Sequence, residues 1–510
     1  MEDANYQYAN DSIDNVINPE YEAIVVGAGF GGLGAAIQLK RLGITSLKIV
    51  DRAEGIGGTW FLNTYPGVAV DIPSSTYSYS FEPNPYWSRL YAPGNELQDY
   101  AEHVADKYDL RRHMQFSTSV TESRYDEKNK LWTIQLQDGK SHTCRILILA
   151  TGFLSQPKKP DIPGLDSFKG KVIHTSQWDH DYEMEGKDVA VIGTGATSVQ
   201  LIPELAKVAK RLDVYQRTPI WVLNKYDFKV PKTLQNLYAK VPLTQRASRQ
   251  SVAAALEFVM VTGALHFRQF SSMATAFESV GTKVLHHHVK DSTLREKLMP
   301  QYGFGCKRPT FSNTYHRTFT NDHVELITDG INSIEKDGIV TADGKKRTID
   351  TLVLATGFKM WEKGNFPAFD VFGKNDIELG EYWRNSGYES YDGMSIHGFP
   401  NFFNLSSPGA FTGLSYFFTI EGQMKHINRC VTEMQRQQAL SFEVSQSAQQ
   451  SFAKRMKKSL KHSIFVRDDH CAASNSYYFN GKQTSLLRPT GTYSALKHAE
   501  RFPLKNYIFG

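Results

Sequence analysis

One strand–turn–helix unit occurs twice in this chain, and no other feature limits its possible folds so sharply. The first copy reads YEAIVVGAGFGGLGAAIQLKRLGITSLKIVD from Tyr21. An apolar strand runs into Gly27-x-Gly29-x-x-Gly32, an alanine-rich helix follows, and a second strand, LKIV, ends at Asp51. The first glycine permits the tight turn, the second lets backbone approach a pyrophosphate, and the third lets helix and strand pack closely. The helix N-terminus offers amide donors and partial positive charge to phosphates, and Asp51 is placed to accept from a ribose hydroxyl.

The second copy reads DVAVIGTGATSVQLIPELAKVAKRLDVYQR, with the turn Gly193-Thr194-Gly195-Ala196-Thr197-Ser198. Ser198 stands where the third glycine is expected and should loosen helix–strand packing slightly. Asp51 lies 24 residues after Gly27, and the position 24 after Gly193 is Arg217. An acid in that slot suits a free 2′-hydroxyl, and an arginine suits a 2′-phosphate. The second site therefore reads as NADPH and the first as FAD, with a solvated strand-end charge as the alternative for Arg217.

Each unit closes with a matching strand and turn, CRILILATGFL ending near Gly152 and IDTLVLATGFK ending near Gly357. The fold class expected is α/β, with two Rossmann-like dinucleotide-binding domains, the second interrupted by a helical insertion. The boundaries expected are 1–152 for the first part of the FAD domain and 153–224 for the first part of the NADPH domain. The insertion is 225–305, the rest of the NADPH domain 306–371, and the rest of the FAD domain 372–510.

The 58 basic and 53 acidic residues are interspersed and leave a net charge of +5, which gives no footprint for nucleic acid. Hydrophobic content of 41% and charged content of 22% fit a soluble globular protein. Cys144, Cys306, Cys430 and Cys471 lie far apart with neither a C-x-x-C pair nor zinc spacing, so reduced thiols in a cytoplasmic protein are expected and no metal site. The opening MEDANYQYANDSIDNVINPE has acids but no Lys or Arg and does not fit a signal peptide. The longest apolar run, Val252–Phe267, is too short for a membrane span and reads as a core or domain-facing helix. The run His286–His288 reads as surface, because neighbours on a helix point apart and cannot share a ligand face.

Between the two units lies FKGKVIHTSQWD, which fits neither helix nor strand periodicity. Phe168-x-Gly170-x-x-x-His174-x-x-x-Trp178-Asp179 resembles the fingerprint of class B flavin monooxygenases, and its Trp-Asp ending resembles the form in type I Baeyer–Villiger monooxygenases. Three further stretches are similar to that family: GIGGTWFLNTYPGVAVDIPSSTY on the flavin side, VYQRTPIWV at the NADPH phosphate, and YGFGCKRP at the catalytic arginine. The resemblance runs from about residue 21 to 425. It weakens after that, where many relatives have a Trp and this chain reads LLRPTGT, with Arg488-Pro489, in a region that borders substrate in relatives.

The resemblance implies that NADPH reduces FAD, that O2 adds to give a C4a-peroxyflavin, and that this attacks a ketone to yield an ester or lactone. Arg308 would hold the oxygen anions, since guanidinium stays charged and presents a planar fork, and Asp71 would orient it. By residue chemistry alone Asp71 also fits a turn or cap. Lys307, Arg217 and Thr218 match the 2′-phosphate contacts. Thr194, Gly195 and Ser198 would meet the NADPH pyrophosphate, within a site that includes Gly193, Ala196 and Thr197. Gly58, Thr59, Trp60, Tyr77 and Val120 match flavin-side positions, although Trp60 and Tyr77 fit core aromatics equally. His174 and Trp178 fit either a device that sets the two domains against each other or a buried linker. A relative that oxidises amines or sulfides is the alternative reading. A flavin disulfide reductase would need a redox cysteine pair beside the flavin, which is not expected here. The ketone is not legible, nor is the oligomeric state, for which a monomer is favoured.

Overall fold

The structure, a computed structural model, describes residues 17–464, 466, 470–479 and 487–510. The acidic opening segment up to residue 16 lies outside them. Strands Tyr21–Val26, Leu47–Val50, Met114–Gln115 and Ser141–Leu149 form the parallel heart of an eight-stranded sheet. Strands Leu131–Leu136 and Val120–Asp126 extend it in antiparallel fashion. The inner strands are continuous apolar runs because both sheet faces are covered, and Ala23, Ile24 and Val25 are fully buried.

The chain returns late to this sheet. Strands Asp370–Phe372 and Phe402–Asn404 join it in parallel. Helix Tyr416–Arg436 then lies on helix Phe30–Arg41, with the Phe30 and Phe417 rings 4.7 Å apart. Gly34 makes this approach possible, because a Cβ there would sit 2.6 Å from the Ile420 side chain.

A second sheet is entirely parallel, in the order Val324–Ile327, Arg211–Tyr215, Asp188–Ile192, Thr351–Leu354, Lys171–His174. Its last strand corrects the sequence reading, which gave 168–179 no regular structure. Lys171–His174 is an edge strand paired with Thr351–Leu354. Four residues are too few for a period-2 pattern to show, and tertiary pairing supplies what local signal lacks.

Residues 232–298 fold as helices Lys232–Lys240, Pro242–Met260, Ser271–His288 and Ser292–Leu298, with a wider turn at Val261–Leu265. The apolar run Val252–Phe267 is part core and part cavity wall, with Ala253 and Leu265 buried in apolar clusters. Phe258 is 64% exposed, while Leu256, Val259, Met260, Gly263 and Ala264 line a cavity. His286 and His287 are exposed and His288 is half-buried. Among the described residues no helix is long and apolar enough to cross a membrane.

The C-terminal segment is held by a buried ionic knot. Asp392 accepts from Arg488 Nη1 at 2.5 Å and pairs with His426 Nδ1 and His498 Nδ1, each at 3.0 Å. Burial alone would raise this carboxyl, but Arg488 and the two histidines hold it well below the usual carboxylate range. Arg488 is thus turned away from the site its sequence position suggested, and its neighbour Leu487 lines the cavity instead.

Candidate active site

The strand ends of the first sheet open into a cavity of about 220 Å³. Gly27, Gly29, Asp51, Gly58, Thr59, Trp60, Tyr77 and Val120 all line it. Gly27 has φ +117°, and a Cβ there would lie 2.4 Å from the Ala150 carbonyl oxygen. Gly32 lies beneath the turn, where a Cβ would be 1.8 Å from the Gly27 oxygen. Helix Phe30–Arg41 starts at Gly29 with no side-chain cap. The amide donors of its first turn therefore belong to backbone that lines the cavity at Gly29, Phe30 and Gly31. Asp51 accepts from the Ala28 amide at 2.6 Å and the Ala53 amide at 2.8 Å. These bonds fix the carboxylate at the rim and leave lone pairs for a sugar hydroxyl. An uncapped helix start, open glycine backbone and a rim carboxylate together fit an adenine dinucleotide.

A larger cavity of about 630 Å³ adjoins the first and shares Thr59, Trp60, Tyr77, Gly152 and Tyr416 with it. Trp60 Nε1 donates to the Tyr77 hydroxyl at 3.2 Å, so these two aromatics form a hydrogen-bonded partition between the spaces. Burial raises the Tyr77 phenol well above its ordinary value and keeps it a neutral donor.

Arg308 and Asp71, 237 residues apart in the chain, meet in this larger cavity, with Arg308 Nη2 donating to Asp71 Oδ1 at 2.6 Å. Asp71, helped by the Tyr478 and Tyr477 phenols, raises the affinity of the guanidinium for its proton, against the burial that opposes it. The Arg308 side chain keeps 45% accessibility, and the cavity lining places that surface toward the space beside the dinucleotide cleft. It is a fixed positive charge whose one hydrogen-bond partner among the described residues is Asp71.

The second glycine turn is built like the first at its start. Gly193 has φ +113°, and a Cβ would lie 2.4 Å from the Ala355 oxygen. Gly195 begins helix Ala196–Leu205 without a side-chain cap, and nothing lies within 4 Å of a Cβ built there. Ala196 and Thr197 line the larger cavity. Ser198 is fully buried, and among the described residues its hydroxyl has no partner. Thr194 Oγ1 donates to the Thr218 carbonyl at 3.0 Å and ties the turn to the Arg217 strand end. Burial, with the Arg217 charge beside it, brings the Lys307 ammonium down to about 8. Neither cation forms an ion pair among the described residues, and two neighbouring unpaired cations fit an anion.

Of the fingerprint residues, Phe168 and His174 are buried, Trp178 and Asp179 are half-buried, and Gly170 is exposed. The Phe168 ring packs on Gly170, where a Cβ would lie 2.5 Å away. His174 Nδ1 pairs with Ser176 Oγ at 2.8 Å and Nε2 with the Gly357 carbonyl at 3.2 Å, and burial lowers its pKa. Trp178 packs against the second core, and Asp179 forms an ion pair with Lys171.

Sequence reasoning missed several groups. Tyr416, Tyr477, Tyr478 and Leu487 line the larger cavity from the C-terminal third; the only local signal was the aromatic run Tyr477–Phe479. It also misjudged two cysteines. Cys306 and Cys471 are joined in a disulfide, whereas Cys144 and Cys430 are free and buried. Their sequence separation of 165 hid the pairing. Neither bonded cysteine lines either cavity, so the pair is not placed for exchange with a flavin.

Residues 24–245 match the family described as pyridine nucleotide-disulphide oxidoreductase. A Baeyer-Villiger monooxygenase of Pseudomonas aeruginosa is 35% identical over 444 residues, 86% of this chain and 82% of that protein. One from Streptomyces coelicolor is 37% identical over 415 residues, 81% of this chain and 78% of that protein. A crystal structure of OTEMO in complex with FAD and NADP superposes with a TM-score of 0.83 at 27% identity, covering 97% of this chain and 100% of that one. Relatedness of this extent, on top of two dinucleotide turns and a paired arginine, places the chain in the Baeyer–Villiger monooxygenase family.

Proposed function

We propose that this protein is an FAD- and NADPH-dependent monooxygenase that converts a ketone to an ester or lactone with O2. The observation that supports it most is the Arg308–Asp71 pair in a cavity that shares a wall with the dinucleotide cleft. Gly27, Gly29 and the first turn of helix Phe30–Arg41 hold the FAD pyrophosphate, and Asp51 holds its ribose. Gly195 with Ala196 and Thr197 holds the NADPH pyrophosphate, and Arg217, Thr218 and Lys307 hold its 2′-phosphate. Residues 1–152 and 372–510 make the FAD domain. Residues 153–224 and 306–371 make the NADPH domain, with 225–305 inserted as helices; the two separate sheets support this division.

The bound cofactors supply the electrons and the oxygen activation. The chain supplies placement. Arg308 sits where negative charge develops on oxygen as one oxygen atom enters the bond beside the carbonyl. Because its donors are already oriented by Asp71, no reorganisation is needed when the charge appears. The apolar walls from helix Pro242–Met260 and from Phe411, Leu414 and Leu487 exclude water and hold the ketone. Purified protein should be yellow. A ketone panel should raise NADPH oxidation with ester detected by mass spectrometry, and failure of every ketone to do so would remove the reading.

Two outcomes follow from the phosphate corner. Arg217→Ala should raise KM for NADPH by about tenfold or more while barely changing KM for NADH, since one charge-assisted contact to phosphate is lost. Equal effects on both would contradict the assignment. Burial and the Arg217 charge lower the Lys307 pKa to about 8, so in the free protein its charge is lost progressively as pH rises through that value. KM for NADPH should therefore rise above about pH 8, KM for NADH should stay flatter, and Lys307→Arg should extend the plateau to higher pH.

A further inference from the structure

The loop that carries Arg308 is covalently bound to the C-terminal segment. Cys306 stands one residue before Lys307 and two before Arg308, and its Cα lies 5.3 Å from that of Cys471, inside the range a disulfide needs. The two chain segments are fitted together around the bond. Gly303 donates its amide to the His470 carbonyl at 2.9 Å, and a Cβ on Gly303 would lie 1.7 Å from the His470 ring. A Cβ on Gly305 would lie 2.8 Å from Ile464. Gly303 is thus explained by His470, the residue before Cys471, and Gly305 by its φ of +94° and the nearby Ile464.

Past Cys471 the same segment reaches the proposed cofactor and substrate groups. Asn475 Nδ2 donates to Thr218 Oγ1 at 3.0 Å, beside Arg217. Tyr477 and Tyr478 enter the cavity with Arg308. The bond therefore closes a ring of contacts through the Arg308 loop, the C-terminal segment and the Arg217–Thr218 strand end.

We propose that the Cys306–Cys471 disulfide is a positioning device. It holds Lys307 in register with Arg217 and Thr218, so that the state of the bond sets the preference for NADPH over NADH. The inference rests on the NADPH reading above. Both sulfurs are buried, each residue being 1% exposed. The bond thus acts as a fixed clamp once made, by exchange of two thiols with a small disulfide that leaves as two reduced thiols. Cys144 and Cys430 cannot compete, because burial raises both thiols far above their ordinary range.

The test uses the full-length holoprotein treated with oxidised glutathione. Alkylation under denaturing conditions without reductant should label Cys144 and Cys430 only, and mass spectrometry should find a peptide linking Cys306 to Cys471. Four labelled thiols would overturn the proposal. Binding of NADP+ and NAD+ is then compared by calorimetry in wild type, in the Cys306→Ser/Cys471→Ser variant, and in wild type reduced by a dithiol until the link is gone. Loss of the bond should lower the ratio of the two affinities by about fivefold, the effect of a site no longer preorganised. A bond that only stabilises would lower the melting temperature and leave the ratio unchanged, and that result sinks the idea. The reduced wild type carries the test if the double variant does not fold. Because the readout is binding, a ratio that falls in a protein that oxidises no ketone would retain the clamp and remove the reaction.

Discussion

Arg308→Ala should lose ester formation by about 10²–10³-fold or more while NADPH-driven reduction of the flavin continues. The two halves of the reaction separate because they use different parts of the chain. The proposed NADPH contacts are the Gly195 turn with Arg217, Thr218 and Lys307, and none of these requires the guanidinium of Arg308. Oxygen insertion requires a positive charge that cannot be lost at working pH. Arg308 meets this need through Asp71, which contacts it at 2.6 Å and strengthens its hold on the proton. Arg308→Lys should recover only part of the activity, because an ammonium keeps the charge but not the planar fork. Asp71→Ala should fall between, with the arginine present but no longer aimed. The measurement pairs NADPH consumption with product mass, and ester at the wild-type rate from Arg308→Ala would remove the role assigned here.

Gly32→Ala should give protein that is colourless and destabilised by roughly 3 kcal/mol. Its added Cβ would meet the Gly27 oxygen at 1.8 Å, a backbone atom that no rotamer change can move. Relief requires lifting helix Phe30–Arg41 off strand Tyr21–Val26, which also withdraws the helix start from the FAD pyrophosphate. Gly195→Ala is the contrasting case. Nothing lies within 4 Å of its Cβ, so the variant should melt with wild type, keep FAD, and lose affinity for NADPH and NADH alike. Chemical denaturation with flavin absorbance distinguishes the two. A yellow, fully stable Gly32→Ala would show that the third glycine is dispensable in the first turn.

Much of the proposed site was legible because its residues obey local rules. The turn glycines, Asp51 and Arg217 follow from spacing within single strand–turn–helix units, where steric limits on φ and on helix–strand approach act over a few residues. Ser198 shows the limit of that reasoning. The serine is accommodated with its hydroxyl buried and no partner among the described residues, which composition could not foretell. The edge strand Lys171–His174 was illegible for a related reason, since four residues gain strand structure only by pairing with Thr351–Leu354. The helix around Val252–Phe267 left its partner open, because an apolar wall of a cavity and an apolar core have the same sequence signature.

The sequence by itself determined two glycine turns of the dinucleotide-binding kind and the opposite charge of Asp51 and Arg217 at matching positions after them, and its family resemblance pointed to the Arg308 loop. These depend on bond geometry and short-range sterics, which travel with the local chain. Tertiary structure alone decided that Arg308 meets Asp71, that Arg488 turns to Asp392 and leaves Leu487 to face the cavity, and that Cys306 reaches Cys471. Each of these contacts joins residues roughly a hundred or more apart in the chain, and their proximity is set by how sheets and helices pack, a property no short stretch of residues encodes.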